Sequence, residues 1–351
     1  MATMSQAVRM ALHYGEKHLE VKDIFGQDVG APLGGVFTAT QGLKTTWNSP
    51  LDERGIMGMA MGIAMTGDRC VAEIQFCDYI FNTIDLLKIA GNTHWCTNGQ
   101  VQLPMVVMTP VGAGIRGSVY HSHSFDAWAS RLPGWKIVMP SNSLDAYGLM
   151  LSAIKDPNPV LFMIPKALMR VRGEELIPGE PAEEKELKEM IDAPIGDRSK
   201  WKARWPELQE YLVPIGQGRI TREGEQITVV SYGRHLLICN EVADQLREEG
   251  VSVEVIDLRS IYPYDWQLIK KSIQKTGRVL FVNEDTEVTN FGEHLAYRAT
   301  QELFYELMAR PQVLAGKNLP GIGLHASLED ASVPQKHEIE SAIRSILAEV
   351  P

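Results

Sequence analysis

Short apolar runs alternate with amphipathic stretches in the first half of the chain. The apolar runs predict β-strands near Asp23–Phe25, Cys70–Phe76, Met105–Thr109, Lys136–Met139 and Val160–Ile164. The stretches between them predict helices at Glu53–Met65, Tyr79–Thr93, Phe125–Arg131 and Leu144–Ile154. Because the strand runs are almost wholly apolar, they are typical of a parallel sheet that is covered on both faces.

The second half repeats this alternation. ITVVSYG, VSVEVIDL and GRVLFVNE predict strands, and helices are expected from about His235 to Glu249 and from about Phe291 to Met308. The first of these helices ends before Gly250, a common residue just past a helix end. The whole pattern predicts an α/β fold of two doubly wound domains with mainly parallel sheets.

A charged segment separates the two halves. We therefore predict a first domain at residues 1–177, a linker or insert at 178–212, and a second domain at 213–351. The segment contains EPAEEKELKEM, a short charged helix candidate, followed by Trp201 and Trp205. It reads most simply as a linker with one solvated helix, but its tryptophans indicate that part of it packs against something, such as a partner chain.

Composition limits the functional classes. The chain has 351 residues, which suits about two domains of roughly 150 residues each. Its net charge of −10 argues against a general binder of nucleic acid or anionic membranes. No apolar run approaches the ~20 residues that span a bilayer, and the first residues lack the layout of a secretory signal. We expect a cytoplasmic protein, or a mitochondrial matrix protein only if a presequence has been removed.

A glycine-rich loop offers one candidate motif. Gly112, Gly114 and Gly117 follow the strand MVVMTP with the G-x-G-x-x-G spacing of a dinucleotide-binding turn. The following SVYHSHS does not open a helix, and no acidic residue lies ~20 residues further on to bind a ribose. We favour a flexible loop that lets the backbone approach a ligand or a subunit. A nicotinamide oxidoreductase stays as an alternative.

The stretch SPLDERGIMGMAMG indicates a helix start. Ser49 is a suitable N-cap and Pro50 a suitable first helical residue. The glycines further along leave a smooth helix face, so we expect another element to pack closely on it. Glu53, in the first turn, would then lie near a buried contact. The simpler interpretation is that this acid complements the helix dipole.

Several stretches together carry a family resemblance: FGQDVG, FTATQGL, NSPLDERGI, AEIQFCDYIF, YHSHS, PGWKIVMPS, DAYGL, KDPNPV, EVIDLRSIYPYD and KTGRVLFVNED. Over nearly its whole length the chain resembles the β subunit of the thiamin-diphosphate-dependent first component of 2-oxo acid dehydrogenase complexes. The branched-chain and pyruvate types are the most similar. The resemblance implies a transketolase-like pyrimidine-binding domain followed by a transketolase C-terminal-like domain.

The resemblance also implies site residues. Glu53 matches a glutamate that hydrogen-bonds the pyrimidine nitrogen of thiamin diphosphate, with Leu51 close by, and such a proton donor should be buried. Gln75 would line the pyrimidine pocket and Tyr79 would contact the ring. His121 matches a histidine that handles protons or binds substrate during acyl transfer to a lipoyl group. The alternative is an ordinary loop histidine.

Two residues depart from the family pattern: His123 stands where glutamine is usual, and Gln27 where glutamate is usual. The first departure bears on substrate preference, and the second on contacts near the cofactor or the partner chain.

The loop KDPNP suggests a structural potassium ion. Relatives hold such an ion with loop oxygens, and Met105, Ala153, Asp156 and Asn158 match those positions. An ordinary Pro-Asn turn explains the same sequence.

One motif of thiamin-diphosphate enzymes is missing. The sequence has no GDG followed by a paired Asn, so the resemblance implies that Mg²⁺ and the diphosphate are held by a separate α subunit. The expected assembly is a heterotetramer (α₂β₂) that decarboxylates a 2-oxo acid, branched-chain or pyruvate, and passes the acyl group to a lipoyl acyltransferase core. Alternatives are acetoin dehydrogenase, a transketolase-like β subunit, and a non-catalytic scaffold for that core.

Overall fold

The structure is a computed structural model that describes residues 1–35, 37–198 and 200–349. The helices are α1 (Met4–His18), α2 (Glu53–Met65), α3 (Ile84–Cys96), α4 (Asp126–Ala129), α5 (Ser143–Lys155), α6 (Glu184–Ile191), α7 (Gly233–Glu248), α8 (Trp266–Thr276), α9 (Phe291–Leu303), α10 (Ala326–Ser332) and α11 (Lys336–Ala348). The strands are β1 (Val21–Gly26), β2 (Thr46–Asn48), β3 (Arg69–Glu73), β4 (Met105–Val111), β5 (Lys136–Val138), β6 (Val160–Pro165), β7 (Arg219–Arg222), β8 (Ile227–Ser231), β9 (Val253–Asp257), β10 (Ser260–Tyr262), β11 (Val279–Thr286) and β12 (Gln312–Gly316). Short 3₁₀ helices occupy Cys77–Thr83, Lys166–Leu168 and Phe304–Glu306.

The chain forms two compact units. The first comprises Met1–Pro110 with Leu132–Ile215, and the second comprises Val111–Arg131 with Gly216–Pro351. The segment Val111–Arg131, which carries the glycine loop and His121, therefore belongs to the second unit although the strand before it belongs largely to the first.

A parallel sheet forms the centre of the first unit. Its strands run in the order β5-β6-β4-β3-β1-β2, and the ladders β1–β2, β1–β3, β3–β4 and β5–β6 are parallel. Every residue of β4 and β6 is buried, as expected for strands that are covered on both faces. Helix α2 packs on β3, while α1 and α5 pack on each other.

The second unit has its own sheet in the order β12-β11-β8-β9-β7. Strands β12, β11, β8 and β9 pair in parallel, and β7 pairs with β9 antiparallel at the edge. Its core joins apolar residues of β8, β9 and β11 to those of α7 and α11, including Val229, Leu246, Val255, Leu280 and Ile343. The predicted α/β class with mainly parallel sheets is thus confirmed in both units.

One predicted cap and two predicted boundaries differ from the structure. Helix α2 spans Glu53–Met65 as predicted, but Ser49 does not cap it, because the Ser49 N–H donates to the Gly26 carbonyl (3.0 Å) and keeps the chain extended. The strand predicted for Cys70–Phe76 ends at Glu73. The helix predicted for Tyr79–Thr93 is a 3₁₀ helix followed by α3.

The packing of α2 and the presence of α1 also differ from what the sequence predicts. The glycine face of α2 is open at Gly58 and Gly62, where an added Cβ would meet nothing within 4 Å among the described residues. The close packing expected there is therefore not made by the described residues. Helix α1 is not among the helices that the hydrophobic pattern predicts.

The charged segment 178–212 packs on the first unit. Arg9 of α1 donates to the Ile191 carbonyl (2.7 Å) and to the Asp192 carboxylate (2.9 Å). Trp205 stacks on His13 with ring centroids 4.1 Å apart. The segment therefore packs on its own unit at Ile191, Asp192 and Trp205.

No helix among the described residues is both long and apolar enough to cross a membrane.

Candidate functional site

The carboxyl end of β3 meets the loop after β1. The Gln75 amide nitrogen lies 3.3 Å from the Gln27 carbonyl oxygen and 3.3 Å from an Asp28 carboxylate oxygen. Asp28 has a left-handed backbone with φ of 60°, a conformation that Asp tolerates better than most residues. The carboxyl ends of neighbouring parallel strands therefore bring two of the motif stretches, FGQDVG and AEIQF, together.

Glu53 opens α2, and the residues around it are tied together. Its carboxylate accepts a hydrogen bond from the Asn82 amide (3.1 Å). The neighbouring Arg54 donates to the Asn82 carbonyl (3.2 Å) and forms a bidentate pair with Asp85 at the start of α3 (2.5 and 2.9 Å). The expectation of a buried Glu53 is wrong within this chain, since the side chain is only half-buried. Leu51, just before the helix, is 68% exposed.

Tyr79 lies close to Glu53. Its ring packs edge-on against Phe76, with centroids 5.8 Å apart. Burial raises the pKa of the Tyr79 hydroxyl, and the carboxylates of Asp78 and Glu53 raise this pKa further. Glu53 is also hydrogen-bonded to Asn82, which lies in the same 3₁₀ helix, Cys77–Thr83, as Tyr79. The structure thus brings Glu53 and Tyr79 together and places Gln75 just before the same 3₁₀ turn.

Glu73 is a buried acid to which the sequence analysis gave no role. It is only 4% exposed at the end of β3. Burial first, and the Asp28 carboxylate second, raise the pKa of Glu73 to about 8. A Cβ placed on Gly35 would lie 3.3 Å from both Glu73 carboxyl oxygens, so the loop after β1 closes tightly over this acid. The only indication of this buried acid in the sequence is a single glutamate inside the largely apolar run RCVAEI.

His121 lies in the second unit, in the loop after β4. Its Nδ1 lies 3.0 Å from the Gly117 carbonyl oxygen. A carbonyl only accepts hydrogen bonds, so Nδ1 carries a proton and Nε2 is the basic nitrogen of the neutral ring. His123 stacks on Phe125 with ring centroids 5.3 Å apart, and its carbonyl accepts from the Gly112 N–H (2.9 Å).

Three N–H groups of the glycine loop are already paired with carboxylates. The Ala113 N–H donates to Glu284 (2.9 Å). The N–H groups of Gly114 and Arg116 both donate to the same oxygen of Glu329 (2.9 and 3.0 Å). A dinucleotide-binding turn needs such groups for phosphate oxygens, so this arrangement argues against the nicotinamide alternative.

A buried pair of aspartates lies beyond the histidine. Asp126 is fully buried, and burial followed by the nearby Asp285 carboxylate raises the pKa of Asp126 well above its usual value. Burial also raises the pKa of Asp285 to about 6, although N–H donors from Ala127 and Thr286 oppose this. Asp285 and His123 line a cavity of about 290 Å³. We expect the aspartate pair to hold a proton at neutral pH.

The residues predicted to hold potassium are arranged as follows. Met105 begins β4, Ala153 lies in the last turn of α5, and Asp156 and Asn158 lie in the turn that follows it. The Asp156 carboxylate is paired with the Lys136 ammonium and accepts the Asn158 N–H (3.0 Å). The Asn158 side-chain oxygen is buried and has no hydrogen-bond partner among the described residues. Among all the residues that the structure describes, no group of three or more His, Cys, Asp or Glu could hold a metal ion.

Family comparisons cover most of the chain. Residues 1–172 match the family described as "Transketolase, pyrimidine binding domain". Residues 216–339 match the family described as "Transketolase, C-terminal domain". The split gene transketolase in its inactive β4 tetramer has the same fold, with a TM-score of 0.73 over 100% of both chains at 16% identity.

Curated relatives are more specific. The chain is 34% identical to the 2-oxoisovalerate dehydrogenase subunit beta of Bacillus subtilis, over 92% of this chain and 91% of the relative. It is 33% identical to the mitochondrial subunit beta 2 of 2-oxoisovalerate dehydrogenase from Arabidopsis thaliana, over 97% and 87%. It is 32% identical to the pyruvate dehydrogenase E1 component subunit beta of Rhizobium meliloti, over 99% and 70%. The resemblance inferred from the sequence is thus confirmed, and the chain belongs to the transketolase-like family of β subunits of the thiamin-diphosphate-dependent E1 component of 2-oxo acid dehydrogenases.

Proposed function

We propose that this chain supplies the pyrimidine-binding half of an active site that oxidatively decarboxylates a 2-oxo acid. The observation that carries the proposal is the grouping of Glu53 and Tyr79 around one turn, with Gln75 at the end of β3. An acid, an amide and an aromatic ring suit an aminopyrimidine, which offers hydrogen-bonding edges and a flat face. The half-exposed Glu53 and the exposed Leu51 leave room for such a ring.

The residues present therefore fit thiamin diphosphate. The cofactor would supply the electron sink for loss of CO₂. Glu53 would hold a proton at the pyrimidine nitrogen, and Asn82 keeps its carboxylate oriented. Gln75 would offer its amide to the ring edge, and Leu51 and Tyr79 would contact the ring faces. His121 would use Nε2 to move a proton during acyl transfer, since Gly117 fixes the proton on Nδ1.

An α subunit would complete this half-site. Because the chain lacks a GDG motif with a later paired Asn, we infer that Mg²⁺ and the diphosphate are held by α in an α₂β₂ assembly. The acyl group would then pass to a lipoyl acyltransferase core. Obligate interfaces of this kind often bury more than ~2,000 Å², and the open glycine face of α2 and the exposed Leu51 are candidate surface for one.

Replacement of Glu53 tests the proposal directly. The chain is co-produced with its α partner, and turnover of 2-oxo acids is followed with an artificial electron acceptor. Glu53→Gln should lower turnover by about 10²- to 10⁴-fold, the usual contribution of a positioned acid or base, and should weaken thiamin diphosphate binding measured by calorimetry. Asp52→Asn is the matched control, because the Asp52 side chain makes no capping hydrogen bond. Near-normal turnover of an assembled Glu53→Gln enzyme would remove Glu53 from the mechanism.

The same assay separates the candidate substrates. Relatives of the 2-oxoisovalerate and pyruvate types are similarly close to this chain, so turnover is compared on branched-chain 2-oxo acids and on pyruvate. Activity on acetoin, or transfer of a two-carbon unit, would instead favour the alternatives with the same cofactor. A non-catalytic scaffold would leave activity intact after replacement of Gln75, Tyr79 or Glu53.

A potassium ion at residues 153–158 is supported only in part. The Asn158 side-chain oxygen lacks a described partner, but the Lys136 ammonium already compensates the Asp156 charge. If potassium binds there, the melting temperature of the complex should be higher in KCl than in NaCl, and Asn158→Ala should abolish this difference. Equal melting temperatures in both salts would argue for an ordinary turn.

A further inference from the structure

Two glutamates hold the loop that carries His121. We call residues 112–124 the histidine loop, because they run from Gly112 to the end of YHSHS. Glu284 lies near the end of β11 and Glu329 lies on α10. Both side chains are at least nine-tenths buried, at 9% and 5% exposure. Buried carboxylates need hydrogen-bond donors, and these two find donors in the backbone of the histidine loop.

Glu329 gathers two N–H groups on one oxygen. The N–H groups of Gly114 and Arg116 lie 2.9 and 3.0 Å from the same Glu329 oxygen. Both residues have left-handed backbones, with φ of 99° and 57°. Alternating turns of this kind point successive N–H groups inward to form an anion-binding concavity. In this chain the concavity is filled by a side chain of the protein itself.

Glu284 fixes the beginning of the loop. Its Oε2 accepts the N–H of Ala113 (2.9 Å) in a buried hydrogen bond. A Cβ on Gly112 would lie 2.3 Å from its Oε1, and Gly112 has φ of 86°. Any larger residue would therefore push the loop away from the carboxylate.

A short path connects these contacts to the imidazole. The Glu329 oxygen binds the Arg116 N–H, and the next residue, Gly117, presents its carbonyl to the Nδ1 of His121 (3.0 Å). The His121 N–H also returns to the Ser118 carbonyl (3.2 Å). The orientation and tautomer of the ring thus depend on where the carbonyl of Gly117 points.

We propose that Glu329 and Glu284 are positioning residues for His121. They act through the loop backbone and are not assigned contact with substrate. The inference rests on the proposed function of His121 in acyl transfer. It gives a role to the stretch KTGRVLFVNED, whose last acids were recognised only as part of a family pattern.

The central experiment uses the assembled α₂β₂ enzyme with a lipoyl domain as acyl acceptor. Glu329→Gln keeps the size of the side chain but removes its charge. A hydrogen bond to a charged group changes an equilibrium constant by about tenfold to hundredfold. If the bonds hold the loop in its active position, the rate of acyl transfer should fall by about that factor. The KM for the 2-oxo acid should stay within about twofold. Asp330→Asn is the control, because Asp330 is exposed on the same helix and its replacement should change nothing.

A second measurement separates positioning from general stability. Amide hydrogen exchange of the histidine loop should quicken in Glu329→Gln, while exchange in β8 and β9 stays as in the wild type. In a His121→Ala background, Glu329→Gln should cause little additional loss, because residues that act as one unit are not additive. Full additivity of the two losses would overturn the inference.

The remaining outcomes distinguish the positioning role from the proposed function of His121. Wild-type acyl transfer by Glu329→Gln, alongside a severe defect in His121→Ala, refutes the positioning role and leaves the proposed function standing. An unimpaired His121→Ala refutes both, because no catalytic group would remain to be positioned. Glu284→Gln repeats the test at the independent Ala113 contact, in case Glu329→Gln does not assemble.

Discussion

Glu73 gives the sharpest test of the electrostatics at the end of β3. The side chain is enclosed by its own unit, and burial together with the Asp28 carboxylate raises the pKa of Glu73 from 4.5 to about 8. In the folded chain this acid keeps its proton at neutral pH, whereas in the unfolded chain it would lose the proton. Glu73→Gln copies the protonated form and cannot titrate.

The sign of the effect follows from proton linkage. Below pH 4.5 both states are protonated, and the contribution of Glu73 to stability is fully present. As the pH rises from 4.5 to about 8 the unfolded chain ionises and the folded chain does not, so stability falls. The full change corresponds to about 5 kcal/mol at about 1.36 kcal/mol per pH unit. Above pH 8 the contribution no longer changes.

The assay is urea unfolding of the assembled complex at pH 5, 6.5 and 8, at one fixed protein concentration. Relative to the wild type, the free energy of unfolding of Glu73→Gln should increase by several kcal/mol between the lowest and the highest of these pH values. Glu186→Gln, an exposed change on α6, should follow the wild type throughout. Asp28→Asn should reduce the pH dependence of the wild type, because it removes the second cause of the raised pKa.

Parallel curves for the wild type and Glu73→Gln would refute this reasoning. They would mean that Glu73 ionises in the folded chain near its ordinary pKa, and so that water or a cation reaches it. The difference between the two proteins is the decisive quantity, since all other titrating groups are shared and cancel.

Three further predictions concern other contacts. Asp126→Asn should gain in melting temperature on the wild type as the pH rises above the ordinary aspartate pKa of 3.8, because the unfolded chain then ionises Asp126 while burial keeps it protonated in the folded chain, and Asn cannot ionise. Trp205→Ala should cost about 1–3 kcal/mol of unfolding free energy through lost stacking on His13 and lost burial, and limited proteolysis should then cut within residues 178–212. Asp85→Asn should free Arg54 and weaken thiamin diphosphate binding about threefold by calorimetry, a small effect because the ion pair is exposed.

Local hydrophobic pattern was enough to find the strands that are buried along their whole length. Strands β4 and β6 read as continuous apolar runs, and every residue in them is buried. Helix α2 was found with both of its ends, although its predicted cap was wrong. The capping residues Ser49 and Pro50 satisfied every local rule, but the pairing of the Ser49 N–H with Gly26 holds this stretch extended.

The elements that pattern missed owe their burial to distant partners. Helix α1 buries Ser5, Gln6 and Arg9 together with its apolar residues. The cost of burying the Arg9 side chain is offset by its hydrogen bonds to Ile191 and Asp192, more than 180 residues away in sequence. No local rule could have assigned those polar side chains to the interior.

The candidate site shows the same division between local and distant information. Family motifs identified Glu53, Gln75 and Tyr79, and the structure adds how they are held. The hydrogen bond from Asn82 to Glu53, and the contact of Gln75 with the loop after β1, join residues 29 and 48 positions apart. The acids that were missed, Glu73 and Glu329, are buried, and the charge pattern of a sequence does not reveal burial.

The glycine loop shows why spacing alone could not decide between functions. Glycines at positions 112, 114 and 117 are required by the backbone, and an anion does lie against the loop, as the motif implies. That anion is the carboxylate of Glu329, with Glu284 beside it. Two buried carboxylates would repel a pyrophosphate at this position, since like charges at short range in a poorly solvated site are costly. The motif therefore specifies an anion-binding backbone, and the residues that arrive from β11 and α10 determine that the anion is part of the protein.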